Sequence, residues 1–270
     1  MKAFTPVAFL LLITALVPAG AQPPPAAASP DSAGTVLVTG SNRGLGLEFV
    51  KQYAGAGWTV IATTRDPRSA TELRELAASN SRIAVEPLDV VDDESLRSLV
   101  AKYRDVPIDL LINNAGVLGD MQAQMLGSLD QAEFERVMAV NVYGPLAVTE
   151  AFLENVALSR QKKVVSITSR SGIVSQPGWR GPYFYRASKI ALNMVTRMLA
   201  DELRDRGIIV ALVSPPPANT DMLRELIGPD RAASQANPED AVGGLIKVIE
   251  GVTAETSGVP LFVDGTVLPW

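Results

Sequence analysis

The chain of 270 residues contains no cysteine and no histidine. The first absence excludes disulfides and thiolate nucleophiles. The second removes histidine bases and, together with the first, the usual zinc sites, so no metal is expected. Acid–base chemistry is left to Tyr, Lys, Asp and Glu. Positive charge is short as well: 24 Lys and Arg stand against 29 Asp and Glu, a net charge of -5. A broad nucleic-acid surface needs the opposite balance, so no nucleic-acid partner is expected. Long hydrophobic runs are missing except at residues 7–17, preceded by Lys2 and followed by Ala19-Gly20-Ala21. A positive start, a short apolar stretch and a small-x-small end describe a secretory signal peptide over residues 1–21, cleaved after Ala21. The run falls short of the roughly 20 residues that span a bilayer. Export to the periplasm or medium is therefore expected, with transient membrane contact through this segment. The alternatives are an uncleaved anchor, or a cytoplasmic protein whose start is placed too far upstream. Residues 22–32, with four prolines and several alanines, read as a flexible linker.

What the chain does have, from about residue 33 to 270, is an alternation of short apolar runs with helical periodicity. Strands are expected at 35–39, 58–64, 82–88, 108–112, 163–168, 208–213 and 258–263. Helices are expected at 45–56, 69–79, 92–103, 130–157, 183–206 and 238–250. Asp92 reads as a helix cap, Gly207 as a helix stop and Pro238 as a first helical residue. Apolar strands without strict alternation, separated by helices, demand a sheet covered on both faces. The expected fold is α/β: one Rossmann-like, doubly wound domain with a seven-stranded, mostly parallel sheet.

The first strand ends in Thr39-Gly40-Ser41-Asn42-Arg43-Gly44-Leu45-Gly46. Gly40 permits a sharp turn, and Gly44 and Gly46 permit close approach of helix and phosphate. The helix that follows offers unpaired N–H groups to an anion. Alone, the loop also reads as a plain glycine-rich turn. It lacks the Gly-Lys-Ser/Thr ending of a phosphate-loop NTPase. After the second strand the acidic residue that would hold a ribose 2′-hydroxyl is missing, and the chain reads Thr63-Thr64-Arg65-Asp66. Arg65 and Arg43 suit a 2′-phosphate, which favours NADP (NADPH) over NAD. The plainer reading is two surface arginines, with Asp66 beside one of them.

Further motifs follow in order: Asn113-Asn114-Ala115-Gly116, Asn141, Ser169, and Tyr185-Arg186-Ala187-Ser188-Lys189. With the first loop, these resemble the short-chain dehydrogenase/reductase family over nearly all of residues 33–270. Ser169-Arg170-Ser171-Gly172, Tyr183-Phe184-Tyr185 and the ending Phe262-Val263-Asp264-Gly265 with Pro269-Trp270 resemble its sniffer-type carbonyl reductases and C-factor-like members.

Tyr185 and Lys189, four apart, share a helix face. An ammonium beside the phenol favours phenolate. Tyr183 has no lysine four residues on, so Tyr185 is preferred. The resemblance implies a catalytic set of Asn141, Ser169, Tyr185 and Lys189. Ser169 orients a carbonyl, Asn141 holds a water linked to Lys189, and Lys189 also holds the nicotinamide ribose. It further implies cofactor contacts from Gly40, Ser41, Asn42, Arg43, Gly44, Leu45, Gly46, Arg65, Asp89, Val90, Asn113, Ala115, Gly116, Tyr185, Lys189, Pro215, Ala218 and Thr220. One departure stands out: Pro216 occupies the glycine position of the family's Pro-Gly, which removes an N–H and restricts the loop.

The expected activity is NADPH-dependent hydride transfer to or from a small-molecule carbonyl or alcohol, with Tyr185 as general acid/base. The alternative is an exported C-factor-like signalling or binding protein with a cofactor pocket and little catalysis. The substrate pocket is expected between residues 172–182 and 221–228, with Trp179, Met222, Leu223 and Leu226 apolar and Arg170 and Arg180 at its rim. A homo-oligomer is expected, joined through helices 130–157 and 183–206.

Overall fold

The computed structural model describes residues 32–175 and 181–270. The signal segment and nearly all of the linker lie outside the described residues, as do Trp179 and Arg180.

The elements run β1 Thr35–Val38, α1 Gly44–Gly55, β2 Thr59–Thr64, α2 Thr71–Ser79, β3 Ile83–Pro87, α3 Asp93–Lys102 and β4 Leu110–Asn113. There follow α4 Gln131–Met138, a π-helical turn Ala139–Tyr143, α5 Gly144–Ala151, α6 Leu153–Ala157 and β5 Lys163–Ile167. The chain continues with α7 Tyr183–Glu202, β6 Ile209–Ser214, α8 Asp221–Ile227, α9 Pro229–Ala233, α10 Pro238–Gly251 and β7 Pro260–Phe262.

The seven strands lie in the order β3-β2-β1-β4-β5-β6-β7, and every pairing is parallel. The expected seven-stranded, Rossmann-like parallel sheet is present. The pleat sends alternate residues to opposite faces. Val36 and Val38, Val60 and Ala62, Leu110 and Ile112 join the core that contains Phe49 and Val50 of α1 and Val242 and Leu245 of α10. Their neighbours Leu37, Ile61 and Leu111 join the core that contains Leu96 of α3 and Val148 of α5. Both faces are buried, so the strand centres carry apolar residues on both faces, and polar residues such as Thr35, Thr64 and Asn113 fall at strand ends. Strand order reverses between β1 and β4, and that reversal is the crevice in which doubly wound sheets bind ligands.

Capping sets several helix starts as expected: Asp92 Oδ1 accepts from Glu94 N–H, and Pro238 opens α10 behind the Asn237 cap. Ser95 holds the preceding loop, its Oγ accepting from Asp89 N–H at 3.0 Å. Gly207 takes the left-handed conformation, φ 68°, that ends the helical stretch. The long helix expected over 130–157, interrupted near Gly144-Pro145, divides into α4, the π turn, α5 and α6. The π turn inserts an extra residue at Asn141, ahead of Pro145, whose missing N–H disfavours a regular ladder there. Helices α8 and α9 were not expected. They are short, and their signals — Thr220 as a cap, Gly228 at φ 86°, Pro229 as a first residue — fall within what reads as one loop.

Candidate active site

The loop after β1 is shaped by backbone contacts. Gly40 has φ 67°, a left-handed angle that glycine alone adopts without strain. A Cβ on Gly46 would overlap the Gly40 carbonyl and stand 2.5 Å from Asn114 Nδ2. Both glycines are therefore fixed by the fold of the loop, which leaves Gly44, at φ 58°, with only Thr220 near its missing Cβ. The loop is clamped from β4. Asn114 Nδ2 donates to the Thr39 and Gly40 carbonyls at 2.8 and 3.1 Å, and Thr39 Oγ1 accepts from the N–H groups of Asn114 and Ala115.

The residues expected around a cofactor divide into two groups. Asn42, Arg43 and Arg65 are exposed, and Gly44, Leu45, Ala115 and Gly116 are partly exposed along the crevice. Pro215, Ala218 and Thr220 line its other wall with Leu45. Other side chains are already committed. Ser41 is fully buried, its Oγ donating to the Val38 carbonyl, so it holds the loop's shape. Asn113 is 3% exposed, and its Nδ2 donates to Thr149 Oγ1 and the Pro145 carbonyl, so its side chain braces α5 rather than a ligand. Val90 is buried against Gly144, and Asp89 Oδ1 accepts from Val91 N–H. Arg43 forms an exposed ion pair with Asp221 at 3.2 Å, which Asp221 shares with Arg224. Asp66 turns to Arg68, leaving the neighbouring Arg65 at the surface.

The four residues of the expected catalytic set come together. Tyr185 is 7% exposed and borders a cavity of about 800 Å³ with Ser169, whose side chain hydrogen-bonds to it. Tyr183, the rival in sequence, is 53% exposed and does not line the cavity. Lys189 Nζ lies 5.8 Å from the Tyr185 ring centroid and donates to the Ile167 carbonyl at 3.0 Å. Asn141 Oδ1 and Lys189 Nζ both flank Gly116: a Cβ there would stand 3.4 and 4.0 Å from them. Asn141 Nδ2 donates to the Val117 carbonyl and to Ser188 Oγ, and Oδ1 accepts from Val117 N–H. Its amide thus ties the end of β4 to α7, while the π turn changes the partners of the carbonyls around it.

Electrostatics correct one expectation. Burial pushes the Tyr185 phenol above its ordinary value, and the hydrogen bond from Ser169 pulls weakly the other way. Lys189 does not reverse this. Burial lowers its own ammonium to about 8. Tyr185 is therefore held protonated at neutral pH, which is the form that can donate.

Gln124 escaped the sequence reading. It is fully buried in the loop before α4, and its Oε1 accepts from Tyr185 N–H at 3.1 Å. Its Nε2 donates to the Leu118 and Asp120 carbonyls. Pro182 precedes α7 without a side-chain cap, so Gln124 supplies the acceptor that the first turn of α7 lacks. A lone glutamine in a polar loop carries no sequence signal of this role. At Pro216, the departure from the family pattern is accommodated. Pro215, Pro216 and Pro217 line the cavity, and the loop is anchored beyond them by Asn219 N–H to the Ala236 carbonyl at 2.8 Å.

A wholly parallel doubly wound sheet, a glycine loop at its switch point and a Ser–Tyr–Lys cluster beside the crevice define a dinucleotide-dependent oxidoreductase. The model of the short chain dehydrogenase family matches residues 34–230, and the chain belongs to that family. It is 40% identical over 175 residues to the C-signal of Myxococcus xanthus, covering 65% of this chain and all of that protein. An NADPH-bound carbonyl reductase from chicken fatty liver superposes with a TM-score of 0.80 at 31% identity, covering 88% of this chain and all of that one. The carbonyl reductase Sniffer of D. melanogaster superposes at 0.79 with 25% identity, over 88% and 99% of the two chains.

Proposed function

We propose that this oxidoreductase reduces a carbonyl compound with NADPH, Tyr185 delivering the proton. The observation that carries the reading is the buried, protonated Tyr185, bonded to Ser169 at the wall of the cavity. The glycine loop fits a dinucleotide: Gly40 and Gly46 fix its tight shape, and Gly44, with only Thr220 near its missing Cβ, lets a phosphate approach the backbone at the start of α1. Exposed Arg43 and Arg65 at its edge suit a 2′-phosphate. The NADPH bound by the chicken carbonyl reductase supports the same choice. When bound, the reduced nicotinamide supplies the hydride.

The chain's own residues do the rest. Ser169 and Tyr185 hydroxyls orient the carbonyl oxygen. Tyr185 transfers its proton to that oxygen as the carbonyl carbon is reduced to the alcohol. Lys189 places a cation near the phenolate that results. Reoxidation of an alcohol runs the same steps backwards.

The test is Tyr185→Phe, which keeps NADPH binding and lowers kcat by about 10²–10⁴-fold, the usual worth of a positioned proton donor. Unchanged turnover would refute the role. Loss of NADPH binding in the unaltered protein would instead favour a binding or signalling protein, the sense of the C-signal's name.

Two wider proposals accompany it. Export is proposed from residues 1–21, and mass spectrometry of the mature chain should find Gln22 first; an intact Met1 in the cytoplasm contradicts it. A homo-oligomer is proposed from the exposed stripe Ile190, Met194 and Met198 on α7, spaced by four residues along one helix face.

A further inference from the structure

The chain as a whole is acidic, yet among the described residues every charged residue lining the cavity is an arginine: Arg170, Arg186 and Arg231. Arg170 is held in place, its guanidinium carbon 5.8 Å over the Phe262 ring centroid. The ion pairs of this region engage Arg43, Arg224 and Asp221, but among the described residues none engages Arg170 or Arg231. Among the described residues no carboxylate lines the cavity beside Arg170 and Arg231. The rest of the wall is largely apolar, with Leu118, Met222 and Leu226.

We propose that the cavity selects carbonyl substrates carrying an oxyanion, a carboxylate above all, on an apolar body. The proposal rests on reading this cavity as the site of carbonyl reduction. The apolar wall takes the body, Ser169 and Tyr185 take the carbonyl, and the guanidinium forks of Arg170 and Arg231 take the anion. Arginine presents paired donors that match a carboxylate geometrically, and an apolar surround raises the worth of each contact. Arg170 and Arg231 line the same cavity as Ser169 and Tyr185, and an aromatic body is the spacer used to test the arrangement.

The experiment compares para-carboxybenzaldehyde with its methyl ester under NADPH. The wild-type kcat/KM is expected to be about tenfold higher for the acid, expressed mainly in KM, and added salt should shrink the preference. In Arg170→Gln and Arg231→Gln the acid-to-ester ratio falls toward one. In Arg231→Glu the ratio falls below one, and a para-trimethylammonio benzaldehyde is reduced better than the acid. An ester reduced as well as the acid by the wild type, or a ratio unmoved by both glutamine variants, overturns the proposal. If neither aldehyde is turned over, the proposed function itself is at fault, and the anion site is read without catalysis. Calorimetric binding of terephthalate, weakened in Arg231→Gln, supports it; no binding of terephthalate overturns it.

Discussion

Lys189 shows what a single buried residue contributes to and costs this enzyme. Lys189 is 7% exposed, and burial lowers its ammonium to about 8 because burial disfavours the charged form. In the unfolded chain a lysine titrates near 10.4. Between those values the unfolded state holds more protons than the folded one, so stability contributed by this group rises with pH across about 8 to 10. Below pH 8 the charge is buried at full cost. Lys189→Met should abolish most turnover while folding at least as stably as wild type at pH 7. Its advantage in denaturant unfolding should shrink by about 1.4 kcal/mol per pH unit at most as pH rises toward 10. An advantage independent of pH would show that the lysine titrates in the folded protein as it does in the unfolded chain, with no lowering by burial. Tyr185 and Lys189 were legible in the sequence as a helical pair. The direction of the Tyr185 shift was not, because burial cannot be read from spacing.

At the scale of elements, the site is assembled by contacts between loops and helix ends that lie far apart in the chain. Asn114 clamps the glycine loop, Asn141 joins β4 to α7, and Gln124 caps α7 from 61 residues upstream. Gln124→Leu leaves Tyr185 N–H and two carbonyls without their partner, at a cost of about 1–3 kcal/mol. The expected result is a fall in kcat of about tenfold, with KM for NADPH little changed. Gln124→Glu, which keeps the acceptor, should recover part of it. Equal stability losses with unchanged kcat in both variants would make Gln124 a structural residue only. The alternation of strands and helices was legible because apolar period and turn residues act locally. The π turn and α8–α9 were not. The first depends on tertiary packing around Asn141, and the second consists of helices of seven and five residues whose caps resemble loop.

For the whole molecule, the glycine loop marked the carboxyl end of β1 as the ligand crevice, but right-handed crossovers allow several strand orders, so the place of β4 beside β1 was not legible. Assignments carried over from the family motif mixed residues that face the crevice with residues such as Ser41 and Asn113, whose side chains hold the scaffold beneath it. Association is a property of this scale too. Light scattering after gel filtration should give a multiple of the 28.7 kDa chain, less any cleaved segment, and Met194→Glu together with Met198→Glu should reduce it to one copy. A wild-type monomer at micromolar concentration would dismiss the α7 stripe as an interface.

The most direct test of the account follows a label. NADPH deuterated at the transferable position of its nicotinamide ring is incubated with the protein and an aromatic aldehyde, and the alcohol is read by NMR. The account predicts deuterium on the carbinol carbon, formed faster from NADPH than from NADH by about 10–100-fold, the worth of one or two charge-assisted contacts to the 2′-phosphate. Turnover without label in the alcohol, or no turnover from a protein that binds neither dinucleotide, would contradict it.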